Sequence, residues 1–121
     1  MECSRTKFLS NHLIAGTSYA VALSLPPVDE DGDYVIKITG YGYVGSGGTR
    51  YGWVNIGIDG VVQDYEILFG NQNLAGDIYY PIHIESQPIH LLKGQVPSIM
   101  TRYGTNAPQL WAGSWISLVK V

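Results

Sequence analysis

Glycine and proline place the strongest constraint on this chain, because fifteen Gly and six Pro are spread through its 121 residues. Both residue types weaken or break helices, and almost no segment has a helical pattern. Apolar residues instead occupy every second position, as Tyr34, Ile36 and Ile38 do. That two-residue period is typical of a half-buried strand. The sequence therefore predicts an all-β protein.

The strand-like segments follow one another at the short spacing of a sandwich or barrel. About eight to ten strands are predicted, within residues 19–25, 34–44, 51–58, 61–69, 78–85, 88–92, 95–103 and 111–121. The chain has no internal repeat and no linker, so a single antiparallel β-sandwich with jelly-roll topology is the simplest arrangement. We assign residues 17–121 to this jelly-roll domain.

The first sixteen residues lack clear strand alternation and are predicted to form an N-terminal arm. Such a segment is poorly ordered unless something holds it down. We expect the arm to gain order by docking on a partner through Arg5, Lys7, Phe8 and Leu9.

Asp59-Gly60 is the clearest local signal, because this pair favours a two-residue type I′ hairpin turn. The turn would pair Ile58 with Val61, and further along Val54 with Tyr65 and Asn55 with Asp64. In that register Asn55 lies on the solvated side of the hairpin.

Composition excludes several classes of protein. Charged residues make up 14% of the chain and hydrophobic residues 45%, which is unlike a disordered chain. A net charge of −3 with seven scattered Lys and Arg argues against binding to nucleic acid or an anionic membrane. Cys3 is the single cysteine, so no intrachain disulfide is expected. No apolar run has the length of a signal peptide or a membrane span.

Motifs for chemistry are weak in this sequence. Residues 40–45 match G-x-G-x-x-G, but the following Ser-Gly-Gly-Thr does not begin a helix, so we interpret them as a strand end and turn. His12, His83 and His90 lack metal-ligand spacing. The acidic segment 29–33 departs from a calcium loop and is interpreted as a solvated turn. We therefore predict no cofactor and no metal.

Two acids are the best candidates for catalysis, because a glycosidase needs a carboxylate pair near an aromatic platform. The hairpin register places Asp64 and Glu66 beside Trp53. Exposed acids on a strand are commoner than catalytic ones, so we predict that the protein is not an enzyme and has no catalytic residues.

Nine Tyr and three Trp exceed what one small core can hold. Some must be exposed or lie at an interface, where Tyr and Trp are enriched. We expect Tyr79, Tyr80 and Trp115 at an interface between copies of the chain. The alternative is stacking against sugar rings, for which Tyr41, Tyr43, Tyr51 and Trp53 would form the platform.

Three segments resemble the trimeric jelly roll of the tumour-necrosis-factor ligands and the complement globular heads. They are residues 32–38 (GDYVIKI), 89–96 (IHLLKGQV) and 111–118 (WAGSWISL). The resemblance covers roughly residues 17–121 and implies a jelly roll that assembles as a homotrimer.

A bare jelly roll without a collagen-like stem, anchor or secretion signal is more similar to a bacteriophage virion protein. We therefore expect a non-enzymatic structural protein of the virion, made in the host cytoplasm, that decorates and stabilises the capsid. Its partners would be other copies of itself and the major capsid protein. The alternative is a glycan- or receptor-binding module, such as a fibre tip or lectin-like domain that binds a host-surface glycan.

Overall fold

The computed structural model describes residues 1–45, 48–74 and 77–121, together with their side chains except those of residues 48 and 71–74. Within these ranges the chain forms twelve strands and no helix. The strands are β1 (Glu2–Lys7), β2 (His12–Leu13), β3 (Ala20–Ser24), β4 (Gly32–Val44), β5 (Gly48–Ile58), β6 (Val61–Val62), β7 (Ile67–Leu74), β8 (Ile78–Glu85), β9 (Ile89–Leu91), β10 (Pro97–Tyr103), β11 (Gln109–Leu110) and β12 (Trp115–Lys120).

Two antiparallel sheets divide these strands between them. In the first sheet, β4 pairs with β11 and β12 along one side and with β8 and β9 along the other, and β1 and β2 extend the sheet beyond β12 and β11. In the second sheet the order is β3, β10, β5, and then β6 and β7. The chain crosses between the sheets after β2, β3, β4, β7, β9 and β10. This is the predicted jelly-roll sandwich, and the prediction of fold class is confirmed.

The hydrophobic core lies between the two sheets. Ile36 of β4 and Ile116 of β12 contact it from the first sheet, and Ile56 of β5 and Ile99 of β10 from the second, all with no exposed surface. Because strand residues alternate between faces, the neighbours of these isoleucines point outward. The outward positions form the two outer sides of the sandwich.

The hairpin between β5 and β6 agrees with the sequence at its turn and departs from it further along. Asp59 and Gly60 both have positive φ, 53° and 78°, as a type I′ turn requires, and Ile58 pairs with Val61. Beyond Val62 the chain leaves the ladder, so Val54 pairs with Ile67 and not with Tyr65.

The side chain of Asn55 explains this change of register. Its Nδ2 donates to the carbonyl of Gln63 at 2.6 Å, and its Oδ1 accepts from the N–H of Tyr65 at 3.2 Å. Asn55 therefore takes the place of ladder hydrogen bonds and is buried. The predicted pairing of Asn55 with Asp64, and its solvated position, were wrong for that reason.

Residues 1–16 are part of the sandwich and not an arm outside it. β1 pairs with β12 from Glu2 to Lys7, and both Phe8, 7% exposed, and Ile14 belong to the core. The boundary predicted at residue 16 is therefore not a boundary of the fold. The sequence of β1 lacks an alternation of apolar and polar residues, because the two residues that this edge strand turns toward the sandwich, Ser4 and Thr6, are themselves polar.

Candidate functional site

The outer side of the first sheet carries a group of neighbouring aromatic side chains. The ring of Tyr43 lies 5.1 Å from that of Tyr79 and 4.9 Å from that of Trp111, and Tyr79 and Trp111 are 5.0 Å apart at a right angle. Tyr41 and Trp115 lie on the same side, in β4 and β12. We call these five residues the aromatic face. Tyr41 is 52% exposed and Tyr79 48%, so much of this face contacts solvent.

Antiparallel pairing explains why these residues meet. Tyr43 pairs directly with Tyr79 of β8 on one side and with Gln109 of β11 on the other. Directly paired residues in an antiparallel sheet point to the same side. Trp111 joins them because it follows β11, and its backbone N–H donates to the carbonyl of Tyr41 at 2.8 Å.

A close approach at Gly40 fixes the loop that carries Trp111. A Cβ atom at Gly40 would lie 2.0 Å from Oγ of Ser114, so only glycine admits this serine. The same Oγ accepts a hydrogen bond from the N–H of Tyr41 at 3.1 Å. Gly40 belongs to the G-x-G-x-x-G match, and as predicted it lies in a strand; Ser46 and Gly47, which follow the match, lie outside the described residues.

The electrostatics of the outer side differ from one end of the sheet to the other. At the aromatic end, a hydrogen bond to Asp77, together with burial, raises the pKa of Tyr43, so its hydroxyl stays neutral. Toward the other end, Nζ of Lys37 lies 3.5 Å from Oε1 of Glu85, and Nε2 of His83 lies 4.0 Å from the same atom. The rings of Tyr43, Tyr79 and Trp111 therefore cluster at one end of this side, next to the carboxylate of Asp77.

Two of the three residues predicted at an interface lie on the aromatic face. Tyr79 and Trp115 point outward, and the guanidinium of Arg5 stacks 4.5 Å from the ring centre of Trp115. Tyr80 alternates to the inner side, where it packs against the core 6.4 Å from Phe69, so its prediction was wrong. Trp111 was missed because it lies in a loop, where no alternation marks it.

The four residues predicted as a sugar platform do not form one surface. Tyr41 and Tyr43 lie on the first sheet, whereas Tyr51 and Trp53 lie on the outer side of the second, 5.3 Å apart. Arg102 stacks over Trp53 at 3.9 Å. One face of the indole is therefore already covered by a side chain of the same molecule.

The predicted acid pair lies near this second cluster. Both acids are exposed. Glu66 accepts a hydrogen bond from the hydroxyl of Tyr19 and lies 3.5 Å from Nη2 of Arg102. Burial, followed by the hydrogen bond to Glu66, raises the pKa of Tyr19 to about 12. Glu66 is thus held by two neighbours, Tyr19 and Arg102.

The three histidines lie apart from one another. His12 stacks on Phe8 at 5.2 Å, and burial lowers its pKa. His83 lies beside Thr39, and His90 lies 2.9 Å from Asp33. Over the described ranges, no group of three or more His, Cys, Asp or Glu is placed to hold a metal ion. The acidic segment 29–33 is partly paired, since Asp31 accepts from the N–H of Lys93 at 2.7 Å.

The residues predicted to dock on a partner lie in and just after β1. Arg5 and Lys7 are exposed, and Leu9 is 89% exposed. Phe8 is buried in the core and is unable to contact a partner. A docking role stays a prediction for the three exposed residues.

These features define a class: an antiparallel jelly-roll sandwich with one exposed aromatic sheet face, an architecture compatible with a structural or binding module. In the described part of the chain, no helix is long and apolar enough to cross a membrane. No family model matches the sequence, and no curated protein matches it. Among solved structures, the chain is similar to that of Eiger TNF from S. frugiperda, at 14% identity and a TM-score of 0.47, over 96% of this chain and 94% of that one. This similarity concerns the fold alone.

Proposed function

We propose that this protein is a non-enzymatic structural protein that assembles into a homotrimer through its aromatic face, and that the trimer decorates a virion capsid. The observation that carries the first part is the exposure of neighbouring aromatic rings on the first sheet. Soluble monomers rarely expose large apolar patches, and aromatic side chains are enriched where proteins associate.

The surroundings of the aromatic face favour burial against another copy. Next to the Tyr43–Tyr79 pair on the outer side of β4 and β8 is the pair of Tyr41 and Pro81. Neither of these two residues carries a charge. Charged groups border the face: Arg5, paired with Glu2, stacks on Trp115, Asp77 lies beside Tyr43, and Lys37 with Glu85 lies further along the strands. These charges would form a polar rim. An apolar centre with a polar rim is the usual anatomy of an interface.

Three copies are proposed on the basis of the sequence resemblance described above. In a closed cyclic assembly the contact surfaces recur identically in every copy, so no unpaired patch remains at an end. An aromatic face on one side of a single sheet suits such an arrangement.

The oligomer is tested by measuring its mass in solution. The wild-type protein is expected at three times the 13.3 kDa of one chain, and Tyr79→Glu is expected to reduce it to a single chain, because the substitution places a charge in the buried contact. Leu68→Glu is the matched control, since Leu68 is exposed on the outer side of the second sheet, and this variant should remain a trimer. A wild-type monomer at tens of micromolar would refute the proposal.

The virion role is supported by the low charge, the single cysteine and the resemblance of the jelly roll to bacteriophage virion proteins. Mass spectrometry of particles purified from a lysate containing this gene product is the direct test. We expect the protein in the particles at a fixed copy number divisible by three. Its absence from purified particles would restrict the proposal to the trimer.

A further inference from the structure

A cavity of about 240 Å³ opens at the end of the sandwich where β4 ends and β5 begins. Leu13, Ala107 and Pro108 form its apolar part, and Tyr43, Gln109 and Arg50 bring polar groups to it. Its volume equals that of about eight water molecules in the liquid, which is smaller than a drug-sized pocket. The cavity suits a ligand with the dimensions of a single sugar ring.

Arg50 is the group in this cavity that most needs a partner. A guanidinium carries five N–H donors in a planar fork, and the described residues offer one acceptor, the carbonyl of Ala107 at 3.4 Å from Nη1. Arg5 and Arg102 both lie near carboxylates, Glu2 and Glu66 respectively. In the described part of the chain no carboxylate lies within ion-pair distance of Arg50, and the residues outside it include no Asp or Glu.

The other polar groups add to this recognition. The hydroxyl of Tyr43 lies near the carboxylate of Asp77 beside Gly45, and its phenol oxygen is able to accept a hydrogen bond from a ligand hydroxyl. Gln109 contributes an amide that both donates and accepts. A ligand that satisfied all three residues would combine a carboxylate with hydroxyl groups and a compact apolar body.

We propose that this cavity binds a small carboxylate ligand of the size of a sugar acid, whose carboxylate pairs with the guanidinium of Arg50. Arginine binds carboxylates through two parallel N–H···O bonds, which fixes the orientation of the ligand. The cavity shares Tyr43 with the aromatic face and with the predicted sugar platform, so binding has to be compared at a known oligomeric state.

The test is a titration of the full-length protein with glucuronate, with glucose and acetate as separate probes, followed by calorimetry or ligand-observed NMR. Arg50→Gln removes the charge in the cavity, and Arg50→Lys keeps the charge but loses the planar fork. Lys93→Gln is the matched control, because it removes one positive charge at the other end of β4, roughly 40 Å away. The oligomeric state of each sample is measured alongside.

We expect saturable binding of glucuronate to the wild type and to Lys93→Gln, at least ~10-fold weaker binding to Arg50→Gln, and an intermediate affinity for Arg50→Lys. Equal affinity for acetate would support the carboxylate site and assign it to simple carboxylates. No binding to the wild type, glucose binding as tightly as glucuronate, or equal weakening in Arg50→Gln and Lys93→Gln would overturn the proposal.

Discussion

At the scale of single residues, the backbone of the Asp59-Gly60 turn gives a clear prediction. Gly60 has a φ of 78°, and an added Cβ would meet no other atom within 4 Å. The cost of Gly60→Val is therefore a backbone cost alone, about 1–3 kcal/mol of the free energy of unfolding. Urea denaturation measures it.

Gly60→Asn is the control for this prediction, because asparagine tolerates positive φ better than valine does. Its destabilisation should be clearly smaller. Equal losses for Val and Asn would contradict the backbone explanation.

Tyr19 gives a second prediction at this scale. Its pKa is raised to about 12, so the folded state favours the neutral phenol. The stabilisation is fully present below the ordinary tyrosine pKa of about 10 and is lost as the pH rises from there through 12. Ultraviolet titration of the phenols should show one tyrosine that ionises near 12, and Tyr19→Phe should remove that step. An unchanged titration curve in Tyr19→Phe would contradict the assignment.

At the scale of elements, the neighbours Phe8 and Leu9 separate a strand that belongs to the sandwich from a free arm. Phe8→Ala should destabilise the fold by about 3–5 kcal/mol, because it leaves a cavity in the core. Leu9→Ala should change the stability by less than about 0.5 kcal/mol. Thermal unfolding of the two variants is the measurement, and equally small effects would restore residues 1–16 as a separate arm.

Local patterns were sufficient for much of the fold. The alternation in β4 and the Asp-Gly turn are short-range properties, and the structure confirms both. The register beyond Val62 was not predictable in this way, because it depends on hydrogen bonds from the side chain of Asn55 to a segment eight to ten residues away. β1 was missed because its partner is the last strand, more than one hundred residues further on.

In the candidate site, too, some features follow from local sequence and others depend on contacts between distant segments. Tyr79 and Trp115 could be selected from an excess of aromatic residues, but the position of Trp111 beside them depends on the packing of Ser114 against Gly40. The cavity with Arg50 draws residues from both sheets. No single segment of sequence contains that combination.

At the scale of the whole molecule, the two outer sides of the sandwich have different chemistry. On the first sheet the aromatic rings pack on one another and stay partly open to solvent. On the second, Arg102 covers Trp53 and also lies 5.2 Å from the ring centre of Tyr19. Self-association is therefore expected to be one-sided, which favours a closed assembly over a filament.

The position of β12 between β1 and β4 determines when the first sheet can fold as the chain leaves the ribosome. β12 is the last strand of this sheet to leave the ribosome, and it separates β1 from the centre of the sheet. Until residues 115–120 emerge, β1 has no partner and Phe8 has no complete core to enter. The first sheet therefore closes only after synthesis has passed its final strand, in keeping with the slow folding of non-local topologies.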